Sequence, residues 1–154
     1  MIEISNLVKY FGDFAAVDDV SLSVGRGVVL GFLGPNGAGK STTMKMATGF
    51  LAPTSGSVSV CGVDVQAHPL DAKRHIGYLP EGAPAYPDMT AGDFLDFIAD
   101  VRGLKGAERK NKMAAAIERL ALEPVLEQSI ETLSKGFKRR VGLAQAILHD
   151  PPVL

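Results

Sequence analysis

The sequence predicts an α/β protein: a mixed or parallel sheet with flanking helices, preceded by antiparallel strands and followed by a helical subdomain. Three observations support this expectation. Residues 2–5 and 19–24 alternate apolar and polar side chains, residues 28–33 are apolar without interruption, and from Thr90 onward the apolar residues recur with a helical period. Alternation indicates a strand with one solvated face, whereas a continuous apolar run indicates a central parallel strand that is buried on both faces.

The first half is expected to contain strands and one helix. The run 28–33 is followed by glycines and then by a helical pattern that ends at Gly49, a residue type common just after a helix. Val58 and Val60 indicate a short strand, and Ile76–Leu79 indicates another, which Pro80 ends.

The second half is expected to contain three helices. Thr90 is a plausible N-cap with Asp93 three residues later, and Gly103 ends that helix. A second helix is expected before Pro124, and Ser134 is expected to cap the third. The apolar faces of the three helices, interpreted as core, are Phe94, Leu95, Phe97, Ile98 and Val101; Met113, Ile117 and Leu120; and Phe137, Val141, Ala144 and Leu148.

Composition limits the classes of function. Of the 154 residues, 46% are hydrophobic, which is enough for a globular core, and the formal net charge of −1 gives no electrostatic case for nucleic acid. The longest apolar stretch is too short for a membrane span, which takes roughly 20 residues, and the start lacks the apolar segment of a secretion signal. The single cysteine, Cys61, cannot form an internal disulfide, so we expect a reducing cytoplasm.

The stretch GPNGAGKS, residues 34–41, matches the phosphate-loop pattern G-x-x-x-x-G-K-[ST] between a predicted strand and a predicted helix. Glycines at 37 and 39 permit positive φ and a close backbone approach, so successive N–H groups can surround an anion at the helix N-terminus. Lys40 would reach the β- and γ-phosphates, and the Ser41 hydroxyl would complete a Mg²⁺ shell. The predicted nucleotide contacts of this turn are Gly34, Pro35, Asn36, Gly37, Ala38, Gly39, Lys40, Ser41 and Thr42.

Four stretches in this order resemble an ATP-binding-cassette (ABC) ATPase of the exporter type. In VKYFGDFAAVDDVSL, the resemblance implies that Phe11 stacks on the adenine with Val17 packing nearby, and Tyr10 is the next candidate. The second stretch is the phosphate loop. In IGYLPE, Glu81 stands where the family usually has the glutamine of the loop that contacts Mg²⁺ and the membrane partner. The implied metal contacts are therefore Ser41 and Glu81.

The fourth stretch, LSKGFKRRVGLAQAILHDP, resembles the family signature, usually LSGGQ followed by a helix. Leu133, Ser134 and Gly136 match, while Lys135 replaces a glycine and Phe137 replaces the glutamine. The resemblance implies that Ser134, Lys135 and Gly136 contact the ATP held by a facing ATPase domain. Lys135 adds positive charge there, at the cost of the backbone freedom of a glycine.

The resemblance implies a protein that binds ATP and Mg²⁺ and couples ATP hydrolysis to transmembrane export. Its partners would be a transmembrane permease and a second ATPase domain, as a homodimer or heterodimer, without nucleic acid. It would be cytoplasmic and peripheral on the inner face of the membrane. Residues 1–82 would form the nucleotide-binding core and residues 83–154 the helical subdomain that docks the permease, with a hinge at 82–87.

In the family, the metal-binding Asp and general-base Glu of the Walker B strand, and a switch His, follow a segment such as the final PPVL. The 154 residues are therefore expected to be a fragment that binds nucleotide with little turnover alone, with no catalytic residue besides the loop residue Glu81. Two alternatives remain open. One is a soluble cassette ATPase of translation or DNA repair. The other is a regulatory module that binds nucleotide without hydrolysis, which the replacements at Glu81, Lys135 and Phe137 favour.

Overall fold

The computed structural model describes residues 1–82 and 85–154. The chain forms two compact units, one of Met1–Ile76 with Val153 and the other of Gly77–Pro152 with Leu154. Two residues of the predicted hinge, 83 and 84, lie outside the described residues, and the functional division at residue 82 stays a prediction.

The first unit is built on an antiparallel sheet. Its elements in chain order are β1 (Ile2–Phe11), β2 (Phe14–Val24), α1 (Lys40–Ala47), β3 (Ser55–Val60), β4 (Val63–Asp64) and α2 (Pro69–Arg74). The strands lie in the order β2-β1-β3-β4, and every neighbouring pair is antiparallel. Ile4 pairs with Leu22 of β2 and with Val58 of β3, and its side chain is buried. The strands predicted from alternation are therefore confirmed.

The prediction of a buried central strand at 28–33 is wrong for the structure. These residues form no strand, and the side chains of Val29 and Leu33 are 97% and 92% exposed. A parallel strand is held by hydrogen bonds to its neighbours, and within the described ranges no strand pairs with this run. An apolar run specifies burial, but it cannot supply the partner strands that provide it.

The strand predicted at Ile76–Leu79 is also wrong beyond its first residue. Ile76 forms an isolated parallel bridge with Val153, where the Val153 N–H donates to the carbonyl of His75 at 3.2 Å. The remaining residues of the run have no strand assignment. The parallel component of the fold is thus represented in the described chain by one bridge, for the same reason as at 28–33.

The second unit is helical, as predicted. It comprises α3 (Ala91–Val101), α4 (Gly106–Arg119) and α5 (Lys135–Ile147), with short 3₁₀ turns at Glu123–Val125 and Ile130–Thr132. Thr90 caps α3, because its Oγ1 accepts from the Asp93 N–H at 3.0 Å. The main core contains Ala91, Phe94, Leu95, Leu122, Val125, Ile130, Leu133, Val141 and Ala144.

The apolar face expected on α3 is only partly core. Phe94 and Leu95 are buried, whereas Phe97 and Val101 are exposed. The predicted face spans more of the helix circumference than the facing elements cover, so its outer members remain at the surface.

No helix in the described part of the chain combines the length and the apolar character that crossing a membrane requires.

Candidate nucleotide-binding site

The glycine-rich turn leads directly into α1, which begins at Lys40 with Gly39 as its N-cap. Gly37 and Gly39 have φ values of 85° and 82°, the positive-φ conformation expected of these two glycines. A Cβ on Gly39 would lie 2.3 Å from the carbonyl oxygen of Ala16 in β2, whereas one on Gly37 would meet no atom within 4 Å. Strand β2 therefore fixes the position of the helix N-terminus, and only glycine fits at position 39.

The start of α1 offers unpaired donors to an anion. The N–H groups of a helix's first turn have no intrahelical acceptors, and Gly39 has no side chain to cap them. The first turn also contains no acidic residue, so the positive end of the helix dipole is not neutralised there. A phosphate group would satisfy these donors and this charge together.

The Lys40 side chain folds back over the turn. Its Nζ donates to the carbonyl oxygens of Gly34 and Pro35, each at 2.7 Å, and the Ala38 N–H donates to the Pro35 carbonyl at 3.2 Å. The ammonium group therefore lies at the turn itself rather than in bulk solvent. A cation held in this position adds a full positive charge to the backbone donors of the same turn.

Thr43 secures the helix start, a role that the sequence analysis missed. Its N–H and its Oγ1 both bond to the carbonyl of Gly39, at 2.8 and 3.1 Å, and the residue is buried. A threonine hydroxyl in a helix commonly donates to the carbonyl four residues earlier. The position of Thr43, four residues after Gly39, could therefore have predicted this contact.

The residues of the turn fit a nucleotide carrying Mg²⁺. Ser41 is exposed in the first turn of α1, where its hydroxyl oxygen is a hard ligand of the kind Mg²⁺ accepts. Among residues 1–82 and 85–154, no cluster of three or more His, Cys, Asp or Glu side chains could hold a metal ion. In phosphoryl-transfer sites Mg²⁺ is usually held by one or two protein ligands together with phosphate oxygens.

Phe11 ends β1 at the tip of the first hairpin, where it pairs with Phe14 of β2. Phe11 is 52% exposed, and Tyr10 and Phe14 are exposed beside it. Phe14 was missed in the sequence analysis, although its place directly across a tight hairpin from Phe11 was the signal. Val17, by contrast, is buried, and its Cγ2 would lie 3.1 Å from a Cβ on Gly39. Val17 thus packs beneath the phosphate loop and has little surface left for a base.

The signature residues form the N-terminus of α5 in the second unit. Ser134 is the N-cap, and its Oγ accepts from the Phe137 N–H at 3.3 Å. Lys135 is the first helical residue and is not among the residues of positive φ, so this position makes no demand that only glycine can meet. Gly136 is exposed, and a Cβ there would make only an ordinary contact, 3.8 Å from Ser134 Oγ.

The side chains that follow the signature make their own contacts. The Arg140 guanidinium lies 5.2 Å from the centroid of the Phe137 ring, and Lys138 Nζ donates to the carbonyl of Glu131 at 2.8 Å. Phe137, at the position of the family glutamine, is therefore half-buried against the helical core and contacted by a cation. Ser134, Lys135 and Gly136 form the exposed start of α5.

Glu81 is exposed in a turn of the second unit. The segment before it is anchored by Gln145, whose Nε2 donates to the Tyr78 carbonyl at 2.9 Å. Ser41 and Glu81 belong to different units, so their predicted meeting at one metal ion stays a prediction.

Comparisons with known proteins identify the family of this chain. Residues 17–154 match the family model described as ABC transporter. This chain belongs to the ABC transporter family. A structure described as the ATP-binding subunit of an ABC transporter superposes with a TM-score of 0.89 at 31% identity, covering 97% of this chain and 62% of that chain. The dimeric structure of MJ0796, a bacterial ABC transporter cassette, gives 0.86 at 25% identity, covering 99% and 72%.

Curated relatives of the ABC family match along the whole chain. The probable multidrug ABC transporter ATP-binding protein YbhF of Escherichia coli is 41% identical, and the chain covers 27% of its length. The linearmycin resistance ATP-binding protein LnrL of Bacillus subtilis is 36% identical, with 50% of its length covered. The Nod factor export ATP-binding protein I of Ralstonia nicotianae is 34% identical, with 48% covered. The chain thus spans about a quarter to a half of the curated relatives it matches.

Proposed function

We propose that this chain is the nucleotide-binding part of the ATPase subunit of an ABC exporter, which couples ATP binding and hydrolysis to transport across a membrane. The observation that carries the proposal is the turn before α1, which holds the Lys40 ammonium on the carbonyls of Gly34 and Pro35 and leads into a helix start without a side-chain cap. The names of the relatives, which refer to multidrug transport, linearmycin resistance and Nod factor export, favour export over import.

Each site residue has a distinct part in this proposal. Lys40 and the first-turn amides bind the β- and γ-phosphates, and Ser41 would offer its hydroxyl to a Mg²⁺ ion, which would supply positive charge beside the phosphates. Phe11 offers its exposed ring to the base. Glu81 contributes a carboxylate oxygen as an acceptor for the metal shell or for the attacking water.

A second ATPase domain completes the site in this proposal. Ser134, Lys135 and Gly136 would contact the γ-phosphate of the nucleotide held by the facing domain. The exposed start of α5 supports this, because its first turn carries a cation and no acidic residue. The dimeric cassette among the similar structures shows that dimers occur in the family.

In this proposal the permease docks on the helical unit, and the protein would then lie at the cytoplasmic face of the membrane. The outer side of α3 supports this proposal. Tyr86 packs edge-on against Phe97 with ring centroids 5.5 Å apart, and both residues are exposed, as is Val101 further along the helix. Exposed aromatic and aliphatic groups in one place are typical of a surface that binds another protein.

Binding of ATP with Mg²⁺ to the intact protein tests the proposal at its centre. Lys40→Ala should weaken ATP binding at least about tenfold, because a desolvated charge-assisted contact to phosphate is worth about 1.5–3 kcal/mol. The matched control is Lys45→Ala, which removes an exposed cation from the last turn of the same helix. Isothermal titration calorimetry measures the affinity for ATP of the wild type, Lys40→Ala and Lys45→Ala. Equal affinities for all three would contradict the proposal.

The two alternatives are separated by further measurements on the intact protein. Steady ATP hydrolysis excludes a regulatory module that only binds nucleotide. Co-purification with a membrane protein supports an exporter, whereas co-purification with ribosomes supports a soluble cassette ATPase.

A further inference from the structure

Lys9 contacts both the Phe11 ring at the end of β1 and the segment that follows α1. It lies two residues before Phe11 on β1. Its Nζ lies over the Phe11 ring, 5.2 Å from the centroid. The same Nζ donates to the carbonyl of Ala52 at 2.8 Å.

The segment that Lys9 reaches is continuous with the phosphate-binding helix. The chain leaves α1 through Phe50, whose N–H donates to the Lys45 carbonyl at 2.8 Å, and then passes through Ala52. Thr54 joins it to β1 twice, because its N–H donates to the Val8 carbonyl at 2.8 Å and its Oγ1 accepts from the Tyr10 N–H at 3.0 Å. The Lys9 ammonium is therefore held in place by a fixed carbonyl while it contacts the ring.

We propose that Lys9 is a positioning residue for base recognition: its ammonium group holds the Phe11 ring from one face and leaves the other face available to the base of a bound nucleotide. The inference rests on the proposed function, in which Phe11 stacks on the base. Two features favour it over a role in stability alone. A half-exposed aromatic at a hairpin tip has few packing neighbours to fix its rotamer, and a cation over an aromatic face is an attractive contact.

A ligand without a base separates this role from phosphate binding. Lys9→Met keeps the apolar stem and removes the ammonium group, while Lys9→Arg keeps a cation that can both donate to a carbonyl and stack on a ring. We expect Lys9→Met to weaken ATP binding about two- to fivefold, the range expected for an exposed cation–π contact. Binding of inorganic triphosphate should be unchanged, and Lys9→Arg should restore ATP binding.

The experiment is titration of the intact protein with ATP and, separately, with inorganic triphosphate, each with Mg²⁺. Phe11→Ala provides the reference, and the double variant Lys9→Met/Phe11→Ala should bind ATP no more weakly than Phe11→Ala alone. Lys45→Met is the matched control for loss of one cation.

Two results would overturn the role of Lys9. One is equal weakening of ATP and triphosphate in Lys9→Met, which would place its effect on the phosphate loop or on folding. The other is no change for either ligand. If the wild-type protein binds neither ATP nor triphosphate, the proposed function itself is refuted. This outcome differs from the two that concern Lys9 alone.

Discussion

Gly39 illustrates how one residue can meet two independent requirements. Its φ of 82° lies in the left-handed region, and the backbone of Ala16 approaches so closely that no Cβ fits. Gly37 shares the first requirement, with a φ of 85°, but has open space around it. The motif specifies glycine at position 39 but not at position 37, and the structure gives a physical reason, because only Gly39 also lacks the space for a Cβ.

Replacing these glycines by alanine should therefore give unequal losses of stability. For Gly37→Ala we expect about 1–2 kcal/mol, the cost of left-handed backbone for an L-residue. For Gly39→Ala the close approach adds an overpacking cost, which brings the expected loss to about 2–5 kcal/mol. Urea unfolding of the intact protein measures both values. Equal losses would show that the contact with β2 is less rigid than described.

Asp64 gives a residue-scale prediction that depends on pH. Its Oδ1 accepts from the N–H groups of Ala67 and Gln66, each at 2.8 Å, and these bonds to the charged form hold the pKa of Asp64 below its usual 3.8. A lowered folded-state pKa stabilises the fold fully above the unfolded-state value. This contribution is lost as the pH falls through the lower, folded-state value.

Asp64→Ala should thus lower the unfolding temperature at pH 7, and the difference from wild type should shrink as the pH falls below 3.8. Asp64→Asn keeps an acceptor oxygen without the charge, so its unfolding temperature should depend less on pH. Thermal unfolding followed by circular dichroism between pH 7 and pH 2 is the measurement. A constant difference across that range would contradict the interpretation.

At the scale of elements, the sequence predicted the longer local elements, but it missed the short helix α2 and could not specify what needs partner strands. The hairpin strands, α1 and the three later helices follow from alternation, apolar period and the caps at Gly39, Thr90 and Ser134, all of which act within a few residues. The strand at 28–33 could not form from its own residues, because its hydrogen bonds must come from other strands. The exposure of Phe97 likewise depends on what packs against α3, which periodicity does not specify.

Ser134 has two possible roles at the start of α5, and two variants separate them. Ser134→Ala removes the cap and should cost about 1 kcal/mol of stability. Ser134→Asp keeps a good cap, so stability should hold, but its negative charge would repel a γ-phosphate and ATPase activity should fall strongly. Unfolding and hydrolysis by the intact protein are measured together. Full activity in Ser134→Asp would leave the residue with the capping role alone.

At the scale of the whole molecule, motif residues could be recognised from the sequence, but their assembly could not. The phosphate loop lies in one compact unit, and Glu81 and the signature residues lie in the other. Whether they meet within one chain or across two depends on docking surfaces that a motif does not encode. Mixing two defective proteins tests this point.

Lys40→Ala and Ser134→Asp should each be inactive as pure proteins. If a site combines the phosphate loop of one chain with the signature of another, mixed dimers contain one intact site and one site with both defects. Mixing should then recover measurable ATP hydrolysis. A mixture of two separate Lys40→Ala preparations serves as the control and should stay inactive. Absence of recovery despite demonstrated exchange of subunits would mean that each chain completes its own site.

The exposed apolar residues 28–33 also affect how this chain interacts with other chains. Val29 and Leu33 present aliphatic groups to water in a segment that has no strand assignment. Exposed apolar segments of this kind are prone to self-association. A chaperone that recognises extended apolar segments is therefore expected to bind residues 28–33 of this chain.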